Sequence, residues 1–400
     1  MNMKIKSLFL SLAIVLMVTP SLSAVTKDKK KDSPKRGYIF TTVKENPITS
    51  VKNQYRSGTC WCFSALSFLE SEAIKAGYSK DIELSRMFVV KHSYNERAKK
   101  YVRLHGHLNF SAGSSFGDVL EVIKKDGIVP YSIMTGMNYG DSLPNQTELD
   151  NVLKGYVENV IKSKYLTTAW ERGLQGILDA YLGEYPSNFE YKGKEYNPIT
   201  YRNSLGINMD DYVDLTSWTH HPFYEKMVIE VADNWRWEQA YNIPIDDLMR
   251  IMDNAINNGY TIAWASDVSE TGFSRNGIAT VPDKDAIKAI GSDQEHWTGK
   301  NGHKMTTNPT GPKPEKVITQ EMRQEAFDNY HTTDDHGMHM FGIAKDQNGT
   351  KYYMVKNSWG DAGKYKGIWY FSAPFVKYKT MDMVVNKNAI PQDIREKLGI

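Results

Sequence analysis

The chain has 400 residues, enough to bury a large core and to form two or three domains. Its hydrophobic and charged fractions, 40% and 24%, are ordinary for a globular protein, and an aromatic content of 12% argues against disorder. The formal net charge of +2 gives no electrostatic reason to expect a nucleic-acid partner.

The amino-terminal segment has the layout of a secretory signal peptide. Lys4 and Lys6 precede an apolar run at 8–18, and small residues follow at 20–24. We therefore expect a signal peptide over 1–24, export to the periplasm or beyond the cell, and a basic, flexible leader over 25–37. An uncleaved, membrane-anchoring start is the alternative. After signal removal no membrane association is expected, because no other segment approaches the ~18 apolar residues of a spanning helix.

Helical patterns dominate the first half of the chain and strand patterns the last quarter. Helices are predicted over 61–76, 84–102, 116–125 and 147–182, the last with a break near Thr167. The stretch 183–320 is mixed, with a helix at 245–257, a strand at 260–265 and an exposed loop from 299 to 314. Strands follow at 338–344, 351–356 and 367–372, and Asn348-Gly349 is a hairpin turn between the first two. This order indicates an α+β fold.

The chain has only two cysteines, Cys60 and Cys62. Their spacing suits neither a disulfide nor a metal site, so no metal is expected. Cys60 begins a helix after a Ser-Gly loop, where the helix dipole favours a nucleophilic thiolate. Cys62 is flanked by aromatic residues and is interpreted as buried and inert. Gln54 precedes Cys60 by six residues, and its amide could form an oxyanion hole with the Cys60 N–H.

Two further stretches carry residues that could act with Cys60. In the segment 334–342, His336 and His339 are both candidate bases, and Gly337 leaves room beside His336 for another group. On a strand the two histidines face opposite sides. In the segment 355–360, Asn357 could orient the histidine ring and fix its tautomer, and Trp359 could shield that hydrogen bond from water.

Together these stretches resemble the papain superfamily: Gln, then Cys-Trp six residues later, then His-Gly before a strand, then Asn-Ser-Trp-Gly. Papain-like enzymes place the histidine about 130–150 residues after the cysteine, whereas His336 follows Cys60 by 276 residues. The longer spacing resembles the bleomycin hydrolase and aminopeptidase C branch, which carries an insertion in the papain-like core. That branch is mostly intracellular and has a longer carboxyl-terminal tail, and this chain departs from it in both respects.

The resemblance implies a two-lobed, papain-like α+β fold with a large, mainly helical insertion. The expected segments are a helical lobe with the nucleophile (38–149), the inserted region (150–302), a β-rich lobe with the histidine and asparagine (303–387), and a carboxyl-terminal tail (388–400). It favours His336 over His339 as the base. The implied catalytic residues are Gln54, Cys60, His336 and Asn357, and the implied substrate-binding residues are Gly113, Ser114, Trp359 and Ile400.

The implied function is that of a cysteine-type aminopeptidase acting on oligopeptides, without metal or cofactor. The resemblance also implies a homo-oligomer, a hexamer in that branch. Three alternatives remain open: a papain-like endopeptidase, an amidase or acyltransferase with the same dyad, and a non-catalytic binding protein.

Overall fold

The computed structural model of the chain describes residues 37–283 and 311–400. The predicted signal peptide, nearly all of the predicted leader and most of the predicted loop at 299–314 lie outside the described residues. From Gly37 to Ile400 the chain forms one compact unit.

The helices of the described residues are concentrated before residue 205. The α-helices, in chain order, are α1 (Cys60–Lys75), α2 (Arg86–Arg103), α3 (Phe116–Asp126), α4 (Thr147–Val160), α5 (Ala169–Leu182), α6 (Pro198–Ser204), α7 (Ile245–Asn257), α8 (Gln320–Asp328), α9 (Ala373–Lys379) and α10 (Gln392–Leu398). Two short 3₁₀ helices lie at Met209–Asp211 and Lys387–Ala389.

The strands lie mainly after residue 210. They are β1 (Thr41–Glu45), β2 (Phe189–Tyr191), β3 (Lys194–Tyr196), β4 (Tyr212–Thr216), β5 (Glu225–Val228), β6 (Gln239–Asn242), β7 (Ile262–Ser266), β8 (Phe273–Ser274), β9 (Ile278–Ala279), β10 (His336–Lys345), β11 (Lys351–Lys356), β12 (Ile368–Ser372) and β13 (Thr380–Asn386).

One large mixed sheet organises the molecule. Its strand order is β5-β6-β4-β13-β7-β10-β11-β12-β9-β8, and β1 also pairs with β10. The central strand β10 pairs antiparallel with β7 on one side, where His336 lies opposite Ser266, and with β11 on the other. The residues of β10 are buried apart from the last one, as expected for a strand covered on both faces.

Helix α1 packs against β10 and β7 and carries the nucleophile candidate at its first residue. It is buried along nearly its whole length, and its apolar side chains join a core that also includes Ala263 and Ala265 of β7. A helix that is apolar around its circumference has to lie inside the protein. Burial of α1 therefore fixes Cys60 against the edge of the sheet where β10 begins.

The region predicted as a mainly helical insertion, 150–302, is structurally mixed and is not a separate unit. Its described part contains α4 to α7, but it also contains β2 to β9. Strand β7 lies between β13 and β10 and is part of the sheet that carries His336. The papain-like α+β fold is confirmed, but strands with distant partners join the described part of this region to the core.

The helices of the described ranges include none that is both long enough and apolar enough to cross a membrane.

Candidate active site

Cys60 is the first residue of α1, and the turn before it is tightly built. The Thr59 carbonyl accepts hydrogen bonds from the backbone N–H groups of Cys62 and Phe63, at 3.0 and 3.1 Å. Gly58 has φ 61°, and a Cβ atom there would lie 2.7 Å from the Cβ of Ala112. A side chain at position 58 would therefore be strained and would push away the segment around Ala112.

Cys62 lies in a different environment. Its side chain is fully buried, and its Sγ donates a weak hydrogen bond to the Arg86 carbonyl at 3.4 Å. Burial raises the pKa of the Cys62 thiol well above its usual value. Cys62 therefore stays a protonated thiol, whereas Cys60 is partly exposed and lines a cleft.

His336 begins β10 and lies in the same cleft as Cys60. Its Nε2 lies 2.7 Å from Asn357 Oδ1, and that oxygen also accepts the Ser358 N–H at 2.7 Å. Because Oδ1 can only accept, this arrangement assigns the proton to Nε2 and leaves Nδ1 for the reaction. The Trp359 ring stacks on the imidazole at a centroid distance of 4.6 Å.

His339 does not line the cleft with Cys60. It is fully buried on the other face of β10, and its Nδ1 lies 2.8 Å from Ser67 Oγ. Burial, assisted by the positive charge of Lys356, lowers the pKa of His339 well below its usual value. Of the two histidines that the sequence offered as bases, the structure brings only His336 to the cleft.

Gln54 is buried and tied to the segment that carries Asn357. Its backbone N–H donates to the Ser358 carbonyl at 2.7 Å, and its side-chain Oε1 accepts from Ser358 Oγ at 2.6 Å. These bonds commit the amide oxygen and leave the amide N–H groups as the donors at this position. Ser358 thus links the Gln54 side chain to the asparagine next to it.

Gly337 sets how closely β10 approaches α1. A Cβ atom at this position would lie 2.8 Å from Ser64 Oγ and 3.3 Å from Trp61 Cα. It would also lie 3.1 Å from Phe116 Cε1. Only glycine allows the strand that carries His336 to lie this close to the first turn of α1.

Gly113 and Ser114, which the resemblance implied to be substrate-binding residues, line the cleft. The preceding carbonyl, that of Ala112, accepts the Trp61 indole N–H at 3.0 Å, which holds this segment beside the first turn of α1. The Ser114 hydroxyl is already engaged, because it donates to Asp118 at 2.8 Å and accepts from Trp235 at 2.9 Å. The backbone of this segment therefore offers more to a ligand than the serine side chain does.

The structure does not bring Trp359 or Ile400 to the surface of this cleft. Trp359 packs on His336 and is not among the residues that line the cleft. Ile400 lies in an adjoining groove with Arg395, and the two cavities share the wall residues Asp214 and Glu238. The assignment of Trp359 and Ile400 to substrate binding stays a prediction.

Several cleft residues escaped the sequence analysis. The lining of the cleft forms an acidic wall of carboxyl groups that come from four separate parts of the chain: Asp214, Asp233, Glu238, Asp334, Asp335 and Asp382. Only the Asp334-Asp335 pair carried a local signal, because it directly precedes His336. The others are brought together by sheet pairing and by the loop before β6, which a sequence pattern does not reveal.

Comparison with known proteins agrees with this geometry. The model of the Peptidase C1-like family matches residues 11–296 and 313–399. Aminopeptidase G of Lactobacillus delbrueckii subsp. lactis is 21% identical over 402 residues, covering 90% of this chain and 86% of the relative. Bleomycin hydrolase of Gallus gallus is 21% identical, covering 87% of this chain and 82% of that protein.

Solved structures show the same fold. PepW of Lactobacillus rhamnosis superposes with a TM-score of 0.67 at 20% sequence identity, covering 90% of this chain and 84% of that structure. Because the family model spans most of the chain, and because the papain-like fold brings Cys60 and His336 to one cleft with Asn357 hydrogen-bonded to His336, the chain belongs to the Peptidase C1-like family and is a papain-like cysteine peptidase.

Proposed function

We propose that the protein is an aminopeptidase that cleaves oligopeptides through Cys60, His336 and Asn357. The observation that carries the proposal is the 2.7 Å contact between His336 Nε2 and Asn357 Oδ1, with the ring facing the cleft that Cys60 lines. That contact holds the imidazole in the tautomer that can take a thiol proton.

The proposed reaction uses the residues in a simple order. His336 accepts the Cys60 proton, and the thiolate attacks the peptide carbonyl carbon. The amide N–H of Gln54 and the Cys60 backbone N–H donate to the developing oxyanion. As the carbon–nitrogen bond breaks, the imidazolium gives its proton to the leaving amine. Water, deprotonated by His336, then hydrolyses the thioester and restores the thiol.

The preference for the peptide amino terminus is supported by the names of the relatives, several of which are aminopeptidases. An endopeptidase is the second candidate, because a specific observation favours it. Ile400 lines the adjoining groove and not the cleft that Cys60 lines. Release of dipeptides or some internal cleavage would follow if nothing blocks the cleft beyond the amino terminus of the peptide.

A peptide panel tests the proposal. Wild-type protein and the Cys60→Ala variant are incubated with the same peptides carrying free or acetylated amino termini, and the products are identified by mass spectrometry. If the protein is an aminopeptidase, the wild type alone should release residues stepwise, and only from peptides with free amino termini. Cleavage of free and acetylated peptides at equal rates would establish the endopeptidase. Transfer to an added amine, in place of hydrolysis, would establish the acyltransferase.

We further propose that the enzyme is exported and forms a homo-oligomer. The predicted signal peptide over 1–24 supports export, and the likeness to the bleomycin hydrolase branch supports a hexamer. Amino-terminal sequencing of the mature protein and light scattering at micromolar concentration test the two points. An intact Met1 would contradict processing, and a monomer would contradict the assembly.

A further inference from the structure

Two carboxyl groups on neighbouring strands face the cleft beyond the catalytic residues. Asp214 lies on β4 and Asp382 on β13, and these strands pair antiparallel with Asp214 opposite Val384 and Asp382 opposite Thr216. The two aspartates are therefore diagonal neighbours on one face of the sheet, close enough for the charge of Asp382 to add to burial in raising the pKa of Asp214. Both line the cleft that Cys60 and His336 also line.

The pair lacks a cationic partner within residues 37–283 and 311–400. Neither carboxylate forms a salt bridge there, and Asp214 Oδ1 is a buried oxygen for which that part of the chain supplies no hydrogen-bond donor. Asp382 is only 7% exposed. A buried carboxyl oxygen without a donor is unfavourable, and a donor brought by a ligand would satisfy it.

The carboxyl groups of the cleft have raised pKa values. Burial raises the pKa of Asp382 to about 7, and burial together with the charges of Asp382 and Glu238 raises the pKa of Asp214. Glu238 lines the same cleft, and burial followed by the charge of Asp118 raises its pKa to about 7, although Arg236 lies 3.9 Å from it. A positive charge bound beside these groups would lower their pKa values and favour their ionised forms.

The position of the pair suits the reach of a peptide. Across the sheet, β13 is two strands from β10 and β4 is three, which at ~4.8 Å per strand corresponds to roughly 10 and 14 Å. Ala265 of β7 and Met381 of β13 line the cleft between His336 and the pair. An extended peptide rises about 3.4 Å per residue, so the pair lies within reach of a group two to four residues from the reacting bond, or of a long side chain nearer to it.

We propose that Asp214 and Asp382 form a cation-recognition subsite, in which the carboxyl pair binds an ammonium or guanidinium group of the peptide substrate. This inference rests on the proposed peptidase function of the same cleft. Two sources of the positive charge share this chemistry: the α-ammonium of the peptide and the side chain of a lysine or arginine. In either case the charge donates to the pair and supplies Asp214 Oδ1 with the donor that the described chain lacks.

The test compares kcat/KM for four matched peptides. One has a free amino terminus and neutral side chains, the second is its acetylated form, the third is acetylated with a lysine before the cleavage site, and the fourth has norleucine in place of that lysine. We expect Asp382→Asn to lower kcat/KM at least tenfold for either the free-amine peptide or the lysine peptide. For the matching neutral peptide kcat/KM should fall less than twofold. Loss on the free-amine peptide identifies the α-ammonium, and loss on the lysine peptide identifies the side chain.

Glu72→Gln is the matched control. Glu72 is also a buried carboxyl whose pKa burial raises to about 7, and it accepts a hydrogen bond from Asn386 of β13, but it does not line the cleft. The Glu72→Gln variant should leave the ratio of kcat/KM for charged and neutral peptides unchanged. Equal losses on charged and neutral peptides in Asp382→Asn, or no loss on any, would overturn the proposal, as would the same shift in Glu72→Gln.

A binding experiment separates this inference from the proposed function. In a Cys60→Ala background, calorimetry with the four peptides measures affinity without turnover, and Asp214→Asn replaces Asp382→Asn if thermal unfolding shows that the latter does not fold. At least tenfold weaker binding of a cationic peptide, with neutral peptides unaffected, supports the subsite even if the wild type hydrolyses none of them. Equal affinities for cationic and neutral peptides in the background protein would overturn it.

Discussion

At the scale of the residue, the site depends on a short chain of oriented side chains. Asn357 accepts from His336, Ser358 donates to Gln54, and Trp359 stacks on the imidazole. One four-residue stretch, 357–360, therefore contacts both the proposed base, His336, and the proposed oxyanion amide of Gln54. This explains why Asn-Ser-Trp-Gly is such an informative sequence signal.

Removal of the Asn357 amide should release the imidazole from its fixed orientation. We expect Asn357→Ala to lower kcat about 10- to 100-fold, with a smaller change in KM, because a small misplacement of a catalytic group costs rates of this order. Steady-state kinetics with a cleaved peptide measures the effect. Asn258→Ala, at the exposed end of α7, serves as the control. A wild-type kcat in Asn357→Ala would show that Asn357 is not needed to orient the His336 imidazole.

His339 should report on acid stability. Its pKa in the folded protein is lowered well below 6.5, because burial and Lys356 disfavour the charged ring. Below about pH 6.5 the His339 ring binds a proton in the unfolded chain but not in the folded one. The free energy of unfolding is therefore expected to decrease when the pH is lowered from 7 to 5.

Replacing His339 by glutamine should remove that loss. Urea unfolding at pH 7 and pH 5 would show a smaller decrease in the free energy of unfolding for His339→Gln than for the wild type. His107→Gln, at an exposed position, should behave as the wild type does. Identical pH dependence in His339→Gln and wild type would show that this histidine does not stay neutral in the folded state.

At the scale of the element, local patterns predicted the helices and strands that carry the site, but not those that complete the sheet. The sequence pattern predicted α7 at 245–257, and its buried residues recur at three- and four-residue intervals. The break predicted near Thr167 corresponds to the separation of α4 from α5. Strands β4, β5 and β6 were missed because they are four or five residues long and are stabilised by distant partners.

The same limit explains the site. Gln54, Cys60, His336 and Asn357 stand in short motifs that local chemistry makes recognisable. The acidic wall arises only when β4, β13 and the loop before β6 come together. Sequence reasoning therefore found the groups proposed for the reaction and missed those proposed here for the choice of substrate.

The close approach of β10 to α1 gives a prediction for one glycine. Gly337→Ala would place a methyl group within 2.8 Å of Ser64 Oγ, forcing the strand and helix apart. We expect kcat/KM to fall at least tenfold and the free energy of unfolding to fall by about 1–3 kcal/mol. Kinetics and urea unfolding measure the two effects.

Gly176→Ala in α5 provides the matched control, because a Cβ atom there meets nothing within 4 Å. It should raise stability by up to about 1 kcal/mol and leave activity unchanged. Full activity in Gly337→Ala would show that the spacing of α1 and β10 tolerates a methyl group.

At the scale of the whole molecule, α10 packs into the core and Ile400 lines the groove beside the cleft. Ile394 and Leu398 of α10 are buried with the core around β13, whereas Ile400 is 40% exposed in the adjoining groove. We expect deletion of Ile400 alone to change the ratio of activities on free and acetylated peptides less than twofold. A tenfold gain on acetylated peptides would instead show that the terminus gates the site.

We propose Cys60, and not Cys62, as the nucleophile of this papain-like peptidase. Mass spectrometry after treatment with an epoxide inhibitor of cysteine peptidases tests it most directly, in the wild type, Cys60→Ala and Cys62→Ala. We expect one adduct on Cys60 in the wild type and in Cys62→Ala, with a parallel loss of peptide hydrolysis. Cys60→Ala should carry no adduct. An adduct on Cys62, or peptide hydrolysis that survives in Cys60→Ala, would contradict it.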